Sequence, residues 1–269
     1  MKKVTKATLA ATAAGIVGGY LALIAPRLSM RHGMSQFYGK VFAHRGMSGG
    51  EVRENTLEAF EAAAENGYGI ELDVRVSADG KAIVYHDANL ARFFGENTEV
   101  ASLNADQLKQ DYNIPQLSEV LELIGGRVPL IIELKCDGSD ISVCPIAMDV
   151  LDGYEGAYAI QSFSPEVLRW MKKNYPNVIR GQISNGFMRE GMVDVKYFII
   201  ENLLSNCVAK PDYIAYNHKY AGNLSLNICR KLYRTPTMAW TLRTSEEWSG
   251  CADRFDSYIC EDLPKKHKR

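Results

Sequence analysis

From residue 41 onward, short apolar runs alternate with helical patterns, and that alternation leaves few architectures open. Runs at 41–43, 70–74, 130–134, 157–161, 178–183, 213–216, 237–242 and 257–260 read as eight main strands. Most are followed by a helical pattern, at 117–124, 165–174, 193–207 and 224–233 among others. Asp79-Gly80 is a hairpin signal, with 82–85 as the returning strand. The segment Asn55-Thr56-Leu57-Glu58 predicts a capped helix start, with Asn55 as N-cap and Glu58 at the third helical position. Eight strands in repeated strand–helix units predict an α/β chain folded as a TIM-type (β/α)8 barrel. An open doubly wound sheet is the rival. It is disfavoured because Gly46, Gly49 and Gly50, after the first strand, lack the spacing of a dinucleotide-binding loop.

The chain of 269 residues, 46% hydrophobic, is long enough to fill one such barrel. Its formal net charge of -1 gives no reason to expect nucleic acid. Six cysteines, at 136, 144, 207, 229, 251 and 260, form no C-x-x-C pair. They read as small apolar core residues kept as thiols, which leans the barrel towards the cytoplasmic side. Ahead of the barrel, Lys2, Lys3 and Lys6 precede an uncharged run from Ala7 to Pro26, which meets Arg27 and Arg31. Twenty such residues match the thickness of a bilayer. Residues 1–31 are therefore expected to be a transmembrane helix that anchors the protein in a single pass. Residues 32–40 then read as a linker, 41–264 as the barrel and 265–269 as a basic, solvated tail.

Chemistry concentrates at the strand ends. Glu71 and Asp73 lie two apart on one strand, so both side chains leave the same face, and Glu133 and Lys135 repeat the arrangement on another. Three carboxylates brought together in a barrel are costly to keep ionised without a counterion. Oxygen-only donors suit a hard divalent cation, Ca²⁺ or Mg²⁺. The plain alternative is salt-bridged strand residues with no ligand. His44 and His86 each follow a strand, where barrel enzymes place their acids and bases. Arg45, beside His44, has the planar fork that clamps a phosphate.

Several of these residues fall within an ordered set of motifs. His44-Arg45-Gly46, Glu54-Asn55-Thr56 with Phe60, Glu71-Leu72-Asp73-Val74, Asp79-Gly80, His86-Asp87, Ile114-Pro115 and Glu133-Leu134-Lys135 come in sequence. Ser162-Phe163-Ser164, Ala239-Trp240-Thr241 and Glu261-Asp262-Leu263-Pro264 follow. Together they resemble the glycerophosphodiester phosphodiesterase family over roughly residues 41–264. The resemblance implies a metal-dependent hydrolase that splits glycerophosphodiesters into glycerol phosphate and an alcohol. It implies Glu71, Asp73 and Glu133 as metal ligands and His44 and His86 as the acid/base pair. It also implies Arg45 and Lys135 as phosphate-binding residues, Glu54 and Asn55 as support, and Phe163 and Trp240 as aromatic lining of the substrate pocket. Lysophospholipids are the alternative small-molecule substrate, and a phosphodiester-binding barrel without activity is the alternative from another class.

Overall fold

The computed structural model describes residues 6–29 and 32–264. The basic tail expected at 265–269 and the lysines at positions 2 and 3 lie outside the described residues. Among the described residues nine strands form one sheet: β1 (Val41–His44), β2 (Gly69–Val76), β3 (Ala82–Val84), β4 (Leu130–Leu134), β5 (Tyr158–Ser162), β6 (Ile179–Ser184), β7 (Tyr213–Asn217), β8 (Thr237–Leu242) and β9 (Ser257–Cys260). Eight of them are parallel and run in the order β1-β2-β4-β5-β6-β7-β8-β9, and β9 pairs with β1 to close the barrel. Only β3 is antiparallel, hairpinned to β2 as Asp79-Gly80 suggested. All eight main strands of the barrel appear within two residues of where the apolar runs place them.

The strands bury nearly every side chain because helices cover the outside and side chains fill the inside. Outside, Leu117, Val120, Leu121 and Ile124 of one helix and Val143, Ala147 and Leu151 of another pack on β2 and β4. Inside, Phe42, Ile131, Ala159, Ile179, Tyr213, Ala215, Met238 and Ile259 form the lower filling. Gly181 is required there, since a Cβ at that position would lie 2.2 Å from the Tyr213 ring.

The segment 32–40, expected as a linker, is part of this filling. It forms a short 3-10 helix, His32–Gln36, and sends Met34 and Phe37 into the barrel core, 2% and 1% exposed. Phe37 stacks on Phe42 with ring centroids 6.2 Å apart. Ser257 donates its hydroxyl to the Phe37 carbonyl. Isolated apolar residues between Gly33 and Gly39 carry no periodicity, so sequence alone could not mark them as a plug. Phe37→Ala should cost about 3–5 kcal/mol of stability, the usual price of emptying an aromatic core site. Chemical denaturation would show it as a lower midpoint, and an unchanged midpoint would contradict a structural floor.

The N-terminal helix runs Lys6–Ile24. Among the described residues no helix is long and apolar enough to cross a membrane. The expected span is therefore not supported, and the end of this helix has another environment. Ile24 is fully buried, its carbonyl accepts from Asn206 Nδ2, and the Leu21 carbonyl accepts from the Tyr233 hydroxyl. Arg27 forms an ion pair with Asp212 at 3.5 Å, and its N–H donates to the Pro211 carbonyl. Thus the barrel's packing begins well before Val41.

Candidate active site

Strand register builds the site. β1 sets His44 beside Glu71, β2 and β4 set Asp73 beside Glu133, and β5 adds Gln161 beside Glu133. Glu71, Asp73 and Glu133 are 2%, 1% and 6% exposed, and one oxygen from each lies within 4.8 Å of the others. Burial, followed by repulsion from Asp73 and Glu133, holds the Glu71 carboxyl well above the carboxylate range. Burial also raises Glu133, although Lys135 opposes it. Asp73 is buried too, yet the charges of Lys135 and Arg45 hold it far below its ordinary value.

Two cations lie inside this cluster. Lys135 Nζ is 2.6 Å from Glu133 and 2.9 Å from Asp73. Arg45 Nε lies 3.1 Å from Asp73, an ion pair without hydrogen-bond alignment, and its Nη1 donates to Glu54 at 2.6 Å. Arg45 sits in a left-handed turn, φ 59°, followed by Gly46 at φ 82°, where a Cβ would strike the Ala59 backbone at 2.7 Å. That turn is what aims Arg45 back over the barrel mouth. Asn55 is not the helix cap that the sequence suggested. Thr56 caps Leu57–Glu65, and Asn55, at φ 55°, donates Nδ2 to Asp73 at 2.9 Å. A buried carboxylate claims the amide, and the neighbouring hydroxyl serves the helix instead.

Both histidines open onto the same cleft, and each is braced from behind. His44 Nδ1 lies 2.7 Å from Glu261 Oε1, and His86 Nδ1 lies 2.6 Å from Asp87 Oδ1. Arg92 then ties Asp87 to Glu54, 2.5 Å and 2.6 Å from its donors. Burial lowers the proton affinity of His44, with Glu261 only partly restoring it. Burial pushes His86 down to about 4, against the pull of Asp73.

The cleft, about 160 Å³, is lined by His44, Arg45, Glu71, His86, Glu133, Lys135, Gln161, Phe163 and Trp240, with Ile183, Thr241 and Ile259. Phe163 and Trp240 meet edge to face, centroids 5.7 Å apart. Every residue singled out from sequence thus reaches this mouth or braces it. Sequence reasoning missed Gln161, whose Nε2 donates to Glu71 at 3.3 Å while its Oε1 accepts from the Tyr213 hydroxyl. It also missed Arg92 and Arg243, which lie outside the motifs and reach their carboxylates only through the fold. Asp87 and Glu261 stand in the His86-Asp87 and Glu261-Asp262-Leu263-Pro264 motifs, but nothing in a linear pattern shows that each faces a histidine.

The donor set fits a divalent cation. Three buried carboxylates face two buried cations, which leaves one formal negative charge, and Glu71, raised first by burial and then by its two acidic neighbours, is the acid least favoured as an anion. Glu71, Asp73 and Glu133 are the residues that would hold such an ion, in an all-oxygen environment of the kind Mg²⁺ and Ca²⁺ take.

Comparison with known proteins bears on the family and the fold. A glycerophosphodiester phosphodiesterase of Bacillus altitudinis is 37% identical over 113 residues, covering 37% of this chain and 46% of that protein. A lysophospholipase D of Rattus norvegicus is 31% identical over 140 residues, covering 52% and 40%. The chain spans less than half the length of these curated relatives. An Oleispira antarctica phosphodiesterase, solved in complex with the product sn-glycerol-3-phosphate, superposes with a TM-score of 0.69 over 85% of this chain and 94% of that one, at 23% identity. At that identity the likeness speaks for the fold. Residues 44–255, from His44 to the threshold of the last strand, match the model of one family, and the chain belongs to it: the glycerophosphoryl diester phosphodiesterase family.

Proposed function

We propose that this protein is a cation-dependent phosphodiesterase that hydrolyses glycerophosphodiesters to glycerol phosphate and an alcohol. The observation that carries the reading is the convergence of three carboxylates, Lys135, Arg45 and two braced imidazoles on one cleft. Arg45 and Lys135 supply fixed positive charge for the phosphodiester anion, and the low-dielectric mouth strengthens that attraction. A bound Ca²⁺ or Mg²⁺ would add Lewis-acid stabilisation of charge on a non-bridging phosphate oxygen. His44 and His86 use Nδ1 on their carboxylates, which leaves Nε2 of each ring to move protons. One takes a proton from the nucleophile and the other gives a proton to the departing alkoxide. Water as nucleophile gives glycerol phosphate directly, whereas the neighbouring glycerol hydroxyl gives a cyclic phosphate that water then opens. The walls hold nucleophile and phosphorus together. Incubating the purified chain with glycerophosphocholine, glycerophosphoethanolamine and glycerophosphoglycerol, each with Ca²⁺ or Mg²⁺, should release glycerol phosphate. No release from any of them would refute the reading.

A second substrate class, lysophospholipids, is favoured by an apolar path that leaves the cleft. Trp240, Phe163, Phe187 and Tyr197 follow one another at centroid distances of 5.7, 5.9 and 5.0 Å. Just before Tyr197 in sequence, at the start of the helix Val195–Glu201, Val193 and Val195 are 79% and 75% accessible. Such a path suits one acyl chain. Val195→Asp should therefore raise KM for a lysophospholipid and leave glycerophosphocholine turnover unchanged, and equal effects on both would remove this reading. As to compartment, all six cysteines are unpaired in the fold, which favours a reducing environment. Labelling of intact cells by a membrane-impermeant thiol reagent would overturn that placement.

A further inference from the structure

The brace behind His44 is more elaborate than a single hydrogen bond. Glu261 follows β9, the last strand of the barrel, and its Oε1 meets His44 Nδ1 at 2.7 Å. Arg243, just past the neighbouring β8, grips the same carboxylate with both arms. Its Nε donates to Oε2 at 2.8 Å and its Nη2 to Oε1 at 3.0 Å. The Arg243 backbone is itself held, its N–H donating to Glu247 Oε2 at 2.7 Å, in the first turn of the helix Ser245–Cys251. Neither Arg243 nor Glu247 lines the cleft. A planar fork on a carboxylate fixes orientation as well as charge.

We propose that Glu261, oriented by Arg243, is a positioning residue that fixes the tautomer and ring direction of His44, keeping the proton on Nδ1 and a free Nε2 lone pair in the cleft. A carboxylate only accepts, so the ring nitrogen facing it must carry hydrogen. The acceptor nitrogen is then the one that meets the substrate, which is the form a general base needs. Arg243 makes the arrangement one-sided, because a guanidinium only donates and keeps both Glu261 oxygens in the plane of its fork. The inference rests on the phosphodiesterase reading for its kinetic consequence, but the tautomer is a property of the resting protein.

Glu261→Gln is the decisive substitution. Arg243 makes its shorter contact at Oε2 and would claim the amide oxygen there, which turns the amide NH2 towards His44 Nδ1. Nδ1 would then have to accept, and the proton would move to Nε2. A wrong tautomer of this kind costs about 10⁴ in kcat in a serine-protease triad. The expected result here is a kcat loss on the order of 10²–10⁴ with KM little changed. In ¹⁵N spectra of histidine-labelled protein, the His44 Nε2 resonance should change from the unprotonated to the protonated type. Arg243→Ala, a milder change, should lower kcat on the order of 10–100-fold, as losing an outer partner of a site ligand does, again at constant KM. With a nitrophenyl phosphodiester, which keeps residual rates measurable, Glu261→Gln should cost nothing further in a His44→Gln background. An Nε2 resonance unchanged in Glu261→Gln would overturn the proposal whatever the kinetics. So would an equal loss in the His44→Gln background. Absence of turnover in the unsubstituted protein, with the expected spectral change intact, would instead count against the phosphodiesterase reading.

Discussion

His44→Ala and His86→Ala are each expected to lower turnover by about 10²–10⁴-fold, the usual worth of a positioned acid or base. Neither residue belongs to the carboxylate cluster, so cation binding and folding should survive both substitutions. A nitrophenyl leaving group needs no proton, so it should rescue the mutant of the acid far more than the mutant of the base. That asymmetry would assign the two roles. In the free enzyme, kcat/KM against pH should form a bell whose two apparent pKa values belong to the pair. Burial lowers the proton affinity of both imidazoles, His86 to about 4. Both limbs should accordingly lie on the acid side of the ordinary imidazole value of about 6.5. The sign follows because a charged ring is the form that burial disfavours. Equal rescue of the two mutants, or near-normal turnover in either, would contradict a two-histidine mechanism.

Removing the cation is expected to have the other large effect. Chelation should abolish turnover, and Ca²⁺ or Mg²⁺ should restore it. The same ion should also raise the thermal midpoint, since a ligand at 100 times its Kd stabilises the folded state by about 2.7 kcal/mol. Glu133→Gln or Asp73→Asn should weaken cation affinity by at least the ~10–100-fold that losing an outer partner costs. Glu71→Gln has a distinct signature. In cation-free protein Glu71 carries the repulsion of Asp73 and Glu133 in a buried site, so a neutral amide there should be harmless or stabilising. The same change should remove most of the cation-induced rise in midpoint. A midpoint indifferent to cation in the unsubstituted chain would exclude a resident ion at these carboxylates.

The barrel mouth also shows how local patterns can be right about residues and wrong about their partners. Asn55 reads as a helix cap because its neighbours form a capping sequence, yet Thr56 takes that task and Asn55 turns to Asp73. A lone amide near a helix start has two possible employers, and the buried carboxylate offers the stronger hydrogen bond. Residues 32–40 read as a linker because Gly33, Ser35 and Gly39 punctuate them, yet Met34 and Phe37 pack into the barrel core. The uncharged run at 7–26 has the length of a span, yet Ile24 at its end is buried against the barrel's own helices.

The sequence by itself determined the strand count, the strand boundaries to within two residues, and which residues stand at the strand ends that form the mouth. These are local matters: a strand's side-chain period places Glu71 and Asp73 on one face, and position at a strand end places His44 and His86 at the mouth. What only the tertiary structure decided is which groups meet. Glu261 reaches His44 across 217 positions because β9 closes on β1, and Gln161 reaches Glu71 across 90 because β4 and β5 follow β2 round the barrel. Arg92 joins Glu54 to Asp87 from a helix of four residues. Such contacts depend on ring closure and register, which are set by the packing of all eight strands together and leave no mark on the neighbours of any one residue.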